Sequence, residues 1–121
     1  MLLVLRLLLY VQVALGVARL AGLIANPRIW DLHAGLGIVI VVLAIVVLRP
    51  LSEMTNDAAR VAARFVALTP LVVGLLMTFG ILERGTESRV IHVLLASLTI
   101  TLVEIASARE RRGRRSARML R

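Results

Sequence analysis

The sequence predicts an all-α integral-membrane protein, an up-down bundle of four helices. Hydrophobic residues make up 60% of the chain, well above the roughly 45–50% of a soluble domain. Four apolar runs are each about long enough to cross a hydrocarbon core of roughly 30 Å, and short polar connections separate them. A chain of 121 residues has room for these spans only, so we expect one transmembrane domain over residues 1–108 and an arginine-rich tail over 109–121.

The first two predicted helices cover about residues 2–25 and 29–48. A basic start followed by an apolar run also fits a signal peptide. Arg19, however, falls where a cleavage site would be expected, and no convincing small-x-small cleavage site accompanies it. Asn26-Pro27-Arg28 ends the first helix because proline lacks an amide and disfavours a helical residue before it. Arg49-Pro50 ends the second helix in the same way.

The third and fourth predicted helices cover about residues 58–82 and 90–108. A polar connection precedes the third helix, and Asn56 or Asp57 within it is placed to act as the N-cap. Pro70 lies inside the third run. Neighbouring helices can satisfy the carbonyl that a proline leaves free, so we predict a kinked helix rather than a broken span.

The charge distribution indicates contact with lipid rather than nucleic acid. Fifteen arginines against seven acidic residues give a net charge of +8, whereas aromatic residues make up only 3% of the chain. The arginines lie at the ends of the apolar runs and in the tail, where they set topology and touch membrane lipids. By the positive-inside rule, both termini are cytoplasmic and the loops at 26–31 and 83–89 lie outside. The absence of cysteine excludes disulfides, thiolate catalysis and iron–sulfur clusters.

The two histidines of the chain, His33 and His92, open the second and fourth apolar runs. Each follows a helix that carries two glycines six residues apart and a short outer loop. The glycines are Gly16 and Gly22 in the first half, and Gly74 and Gly80 in the second. The pattern predicts two helix-hairpin repeats with a site between them. Plain close packing of helices is the alternative explanation for the glycines.

The predicted geometry brings the two histidines to one haem. In an up-down bundle the second and fourth helices are parallel and diagonal, with axes roughly 13–14 Å apart. His33 and His92 are then at equal depth and span that gap as axial ligands of haem b, one per bundle. Gly37 and Ala96 lie one turn below their histidines and leave room for the macrocycle, and Gly35 adds room beside His33. An interfacial role for each histidine is the alternative.

Four arginines are candidates to bind haem propionates, because the guanidinium group suits bidentate contact with a carboxylate. They are Arg19 in the first helix and Arg28, Arg84 and Arg89 in the outer loops. The alternative for Arg19 is extension to the lipid headgroups, since it is about two turns from the helix end. A zinc or copper site is disfavoured because two histidines are too few ligands, even if Asp31 contributed.

Other polar side chains predict no further chemistry. Glu104 is twelve residues beyond His92, about 18 Å along a helix, so we expect an interfacial carboxylate near Arg109. The hydroxyl groups of the third and fourth helices are expected to bond to helix carbonyls. No serine or threonine has a recognisable base, so hydrolytic catalysis is not indicated.

The histidine segments resemble one four-helix half of the haem A synthase family, and other bis-histidine membrane b-type cytochromes. The matching segments are Val11-Gln12-Val13-Ala14-Leu15-Gly16 with Leu32-His33-Ala34-Gly35, and Leu71-Val72-Val73-Gly74 with Val90-Ile91-His92-Val93-Leu94. The resemblance implies haem binding by His33 and His92. Most members of that family have two such halves in one chain, and many have cysteines in the loops. The family's outer loop usually carries a glutamate shortly before the histidine, where the nearest carboxylate here is Asp31, and an arginine after it, where this chain has Ala34. These departures count against oxidation of a haem substrate.

The expected function is therefore that of a membrane b-type cytochrome. It would pass single electrons at the outer side of the cytoplasmic membrane of a prokaryote, with quinol, a periplasmic redox protein or a membrane subunit as redox partner. One alternative is a half-size enzyme resembling haem A synthase that acts as a homodimer. The other is a haem-free accessory subunit of a larger membrane complex.

Overall fold

The computed structural model describes residues 1–49 and 58–119, and its regular structure there is entirely α-helical. Five helices follow one another: α1 (Leu2–Leu20), α2 (Pro27–Val47), α3 (Ala58–Val66), α4 (Leu68–Thr78) and α5 (Thr86–Met119). Because α3 and α4 form one span, four segments are long and apolar enough to cross a membrane. The predicted all-α, multi-pass membrane architecture is confirmed. The predicted caps Asn56 and Asp57 lie outside the described residues.

Glycine and proline set the boundary between the first two helices. Gly22 has a φ of +73°, a left-handed conformation that ends a helix at little cost for glycine. This is why α1 ends at Leu20, earlier than the predicted residue 25. Asn26 then caps α2 by accepting a hydrogen bond of 3.0 Å from the Arg28 amide. Pro27 occupies the first turn, where its missing amide removes no helical hydrogen bond.

The third span divides at Ala67, three residues before Pro70. Without an amide, Pro70 cannot donate to the Val66 carbonyl. The hydroxyl of Thr69 donates to that carbonyl at 2.8 Å, and the hydroxyl of Thr99 on α5 approaches it at 3.5 Å. The predicted kink is thus confirmed, with a neighbouring helix helping to satisfy the freed carbonyl. The span ends at Thr78 rather than residue 82, near Gly80, whose φ is +71°.

The last helix is longer at both ends than predicted. It begins at Thr86 rather than residue 90 and continues through the arginine-rich tail as far as Met119. Arginine and alanine are both favourable helix formers, and the sequence contains no proline after Pro70. The predicted tail is therefore a continuation of the last span.

The described helices pack as a four-membered bundle in which α2 and α5 occupy one diagonal. Helix α1 packs against α2 and α5, and the α3–α4 segment packs against the same two helices. Over the described residues, no Cα atom of α2 lies within 8 Å of a Cα atom of α5, so these two helices meet only through side chains. The predicted diagonal placement of the two histidine-bearing helices is confirmed.

The tightly packed core fills the half of the bundle that is remote from the histidines. Its buried members come from all four spans: Leu5, Leu9, Ile40, Ala44, Leu48, Ala63, Ala67 and Val103. Many large apolar side chains instead cover the outside of the bundle, as expected for a surface that faces lipid. The half that contains the histidines is less completely filled.

Arg60 joins three helices at the end of the bundle remote from the histidines. Its side chain is only 9% exposed. It donates to the carbonyls of Val47 at 2.7 Å and Arg49 at 3.1 Å, where α2 ends. Its remaining nitrogen pairs with Glu110 of α5 at 3.1 Å. Arg60 therefore supplies the donors that the last turn of α2 requires.

We expect Arg60→Ala to lower the free energy of unfolding by about 3 kcal/mol, because it removes a nearly buried ion pair with Glu110 and the donors to the two carbonyls at the end of α2. Unfolding of the detergent-solubilised protein, followed by circular dichroism, measures the change. The control is Arg64→Ala on the same helix. Arg64 is half-buried, and its guanidinium lies 5.8 Å from the centre of the exposed Phe65 ring, a contact worth about 0.5–1 kcal/mol. Equal losses in the two variants would contradict this role.

Glu104 takes part in a second polar cluster. Its carboxylate pairs with Arg6 of α1 and accepts a hydrogen bond of 3.1 Å from the Tyr10 hydroxyl. The sequence did not predict these partners, since we expected Glu104 near Arg109. As predicted, Glu104 is not part of the histidine site. The expectation for the hydroxyl groups is also confirmed: each of Thr69, Thr78, Ser97, Thr99 and Thr101 bonds to a carbonyl of its own span.

Candidate functional site

His33 and His92 face each other inside the bundle. Each is the seventh residue of its helix, counted from Pro27 in α2 and from Thr86 in α5. The centres of the two imidazole rings are 6.2 Å apart, and the ring planes are inclined at 56°. Because the helices occupy a diagonal, the rings meet near the bundle axis. The prediction that the two histidines lie at equal depth and face each other is confirmed.

Each histidine ring packs against a glycine of the preceding span. A Cβ atom added to Gly16 would lie 3.3 Å from Cε1 of His33. One added to Gly74 would lie 3.1 Å from Cε1 of His92. Both distances are shorter than ordinary contacts between carbon atoms. Gly16 and Gly74 are therefore site residues that make space for the rings, a role more specific than the helix packing weighed from the sequence.

A cavity of about 90 Å³ adjoins the two rings. All four spans contribute to its wall, which is largely apolar. The predicted clearance residues Gly37 and Ala96 both line it. Other lining residues, which the sequence did not assign to the site, include Leu71, Val93 and Thr99. The cavity thus occupies the part of the bundle that the packed core leaves open.

Three buried polar atoms around this cavity have no hydrogen-bond partner: Nδ1 of His33, Nδ1 of His92 and Oε1 of Gln12. The other amide atom of Gln12, Nε2, donates to the His33 carbonyl at 2.8 Å. A buried polar atom without a partner costs about 1–3 kcal/mol. Within the described residues, these three atoms are the buried side-chain polar atoms that still lack a partner, and all of them belong to residues that line the cavity.

Trp30 lies beside His33 on α2. The ring centres are 5.9 Å apart and the planes are inclined at only 23°, so the rings are stacked. Trp30 is half-buried and also lines the cavity. Sequence analysis gave it no role, although its position three residues before His33 places both side chains on one helix face. The three-residue spacing between Trp30 and His33 could have identified Trp30 as a site residue from the sequence.

The four candidate arginines are in different environments. Arg19 borders a small crevice together with Trp30 and His33, and it donates to the Ile24 carbonyl at 2.6 Å. Arg84 donates to the carbonyls of Met77 and Thr78 and so caps α4. The remaining two, Arg28 and Arg89, are exposed and do not line the cavity. Of the four, Arg19 alone lies against a histidine.

Gly35 does not belong to the cavity wall. It is exposed, and a Cβ at this position would meet no atom within 4 Å. The physical reason is helix geometry, since a step of two residues turns the chain by about 200°. Gly35 therefore faces away from the bundle when His33 faces inward, and the structure does not support the predicted clearance role.

The histidine pair cannot form a full metal coordination sphere by itself. Among the described residues, no group of three or more histidine, cysteine or acidic side chains is placed to hold a metal ion. Two facing imidazoles instead suit an ion whose other positions are filled by a non-protein ligand. Comparison with family models, curated proteins and solved structures finds no match to this chain.

Proposed function

We propose that this protein is a membrane b-type cytochrome that binds one haem b between His33 and His92. The observation that carries the proposal is the 6.2 Å separation of the two ring centres. Imidazole nitrogen binds transition metals at about 2 Å, and the ring centre lies about 1 Å behind that nitrogen. Two axial imidazoles on one ion therefore have ring centres about 6 Å apart. The histidines already have the spacing that axial ligation requires.

The surroundings of the rings support the same ligand. Imidazole nitrogens without a partner are available to bind iron or to hydrogen-bond once iron is bound. The apolar wall suits a porphyrin, and Gly37 and Ala96 offer the least obstruction near the rings. A porphyrin is larger than the cavity as it stands, so binding requires side chains such as Leu71 and Val93 to move outward. Arg19 is the best-placed partner for a propionate.

A haem held in this way supplies one-electron oxidation and reduction. His33 and His92 occupy both axial positions, which disfavours oxygen activation and favours electron transfer. The packed core seals the opposite half of the bundle, so electrons exchange at the histidine end. This arrangement favours a cytochrome over the half-size, homodimeric enzyme related to haem A synthase.

We further propose that the histidine end faces the outer side of the cytoplasmic membrane of a prokaryote. The arginine-rich tail and the segment around Arg60 and Arg64 lie at the other end, and by the positive-inside rule this supports a cytoplasmic location for both termini. Quinol, a periplasmic redox protein or a membrane subunit is then the redox partner. The paired contacts Gly16–His33 and Gly74–His92 support the proposed two helix-hairpin repeats.

Titration of the full-length protein with haemin in detergent tests this proposal. Trp30 is the only tryptophan of the chain, so its fluorescence reports on the site directly. We expect its emission to be quenched while a Soret band grows, with both signals saturating at one haem per chain. A haem-free accessory subunit would show neither change. Pigment extracted from protein expressed in cells separates the enzyme alternative, which predicts a haem with modified side groups.

A further inference from the structure

We propose that the two histidines are unequal ligands: His33 is the fixed one, and His92 is the one that a diatomic ligand such as carbon monoxide displaces. This inference rests on the proposed haem function and adds a ligand-binding activity to it. The two halves of the site are alike in their glycine–histidine contacts. They differ in what else holds each ring, and that difference carries the inference.

The His33 ring has one contact that the His92 ring lacks: the Trp30 ring stacks on it at 5.9 Å. The Gln12 amide also donates to the His33 backbone carbonyl at 2.8 Å, which fixes the main chain beneath the ring. Stacking of aromatic rings contributes about 0.5–1.5 kcal/mol beyond the area that it buries. Rotation of His33 away from the cavity would break this stacking, because Trp30 is itself half-buried against the same wall.

His92 lacks such a stack, although its ring interacts with the Pro70 backbone as the His33 ring does with the Gln12 backbone. Its position corresponds to His33, and the residue three before it is Arg89 where the first half has Trp30. Arg89 is exposed. Over the described parts of the chain, the one aromatic ring recorded against His92 is that of His33 itself. The His92 ring is therefore freer to rotate.

The displacement is a ligand exchange without electron transfer. The bond between iron and the His92 nitrogen breaks, and a bond between ferrous iron and the carbon of carbon monoxide forms. His33 keeps its own bond to iron. Once His92 swings aside, the diatomic molecule takes the coordination position that the imidazole leaves, within the apolar wall around it.

Five variants of the haem-loaded, full-length protein test the asymmetry. Each is reduced with dithionite and exposed to carbon monoxide, and absorption spectra give haem retention and the rate of carbon monoxide binding. We expect His92→Ala to keep its haem and to bind carbon monoxide at least tenfold faster than the wild type. His33→Ala is expected to lose haem at least tenfold more readily than His92→Ala. Trp30→Ala should make His33 and His92 more nearly equal in how firmly they hold the iron. It should also speed carbon monoxide binding severalfold.

The matched control is Phe79→Ala, which removes an exposed aromatic ring that does not line the cavity and for which we expect wild-type rates. Trp30→Phe keeps an aromatic ring over His33 and should restore wild-type behaviour, which separates loss of stacking from misfolding. The haem-free protein provides an independent readout, since His33→Ala should shift the fluorescence of Trp30 and His92→Ala should not.

Equal haem retention in the two histidine variants would overturn the inference, as would identical carbon monoxide kinetics in Trp30→Ala and Phe79→Ala. Either result would leave the proposed cytochrome function intact. A wild-type protein that binds no haem would instead overturn the proposed function together with this inference.

Discussion

Simultaneous replacement of both histidines, His33→Ala with His92→Ala, should weaken haem binding by more than about a hundredfold, because both axial bonds are lost and only apolar contact remains. The free energy of unfolding of the haem-free protein should fall by much less than the free energy of haem binding. The substitution removes two buried nitrogen atoms that have no hydrogen-bond partner, and this relief offsets the packing that the rings provide. Soret titration measures the first effect, and thermal unfolding of the haem-free protein measures the second.

A double substitution on the exposed face of the same last span serves as the control. Ser97→Ala with Thr101→Ala removes two hydroxyl groups that bond only to carbonyls of their own helix in the structure. Haem affinity should stay within about twofold of the wild type, since neither residue lines the cavity. Undiminished haem binding by the double histidine variant would show that haem adheres elsewhere on the protein.

The substitutions Gly16→Ala and Gly74→Ala should each reduce haem affinity by at least tenfold. The added methyl group would press on a histidine ring at 3.3 Å or 3.1 Å and move it from the position that axial ligation requires. The same change should favour the helix by up to about 1 kcal/mol, since alanine has the higher helix propensity. We therefore expect weaker haem binding without a matching loss of helical stability, measured by haemin titration and thermal unfolding of each variant.

Gly35→Ala is the matched control for the glycine variants. A methyl group at this position meets no atom within 4 Å, so the variant should gain helix propensity and keep wild-type haem affinity. If all three glycine variants bound haem equally well, ring clearance would not be the function of Gly16 and Gly74.

The arrangement of the spans could be predicted because it depends on strong local signals. Long apolar runs interrupted by charged residues and proline located the four spans, and their alternation placed α2 and α5 on a diagonal. The equal depth of His33 and His92 followed from that topology. Gly37 and Ala96 followed from the spacing of one helical turn. None of these inferences required knowledge of side-chain conformation.

The remaining details depend on packing between helices and could not be read from one sequence. Stacking of Trp30 on His33 depends on the rotamers of both side chains. Capping of α4 by Arg84 depends on which carbonyls the guanidinium group reaches. The exact break at Ala67 depends on how Thr69 and Thr99 share the Val66 carbonyl. The end of α1 depends on the conformation adopted by Gly22.

Gly35 shows a different kind of error. It was assigned to the site because it is near His33 in sequence, although two residues along a helix point in nearly opposite directions. Proximity in sequence was given more weight than helical phase. Glu104 was judged correctly as remote from the site, whereas its pairing with Arg6 required the relative rotation of α1 and α5.

Electron paramagnetic resonance of the oxidised, haem-loaded wild-type protein tests the central claim most directly. Ligation by both His33 and His92 predicts a low-spin ferric signal from one haem per chain, and the signal should disappear when both histidines are replaced. A high-spin signal from the wild-type protein, or a low-spin signal that survives the double replacement, would contradict axial ligation by this histidine pair.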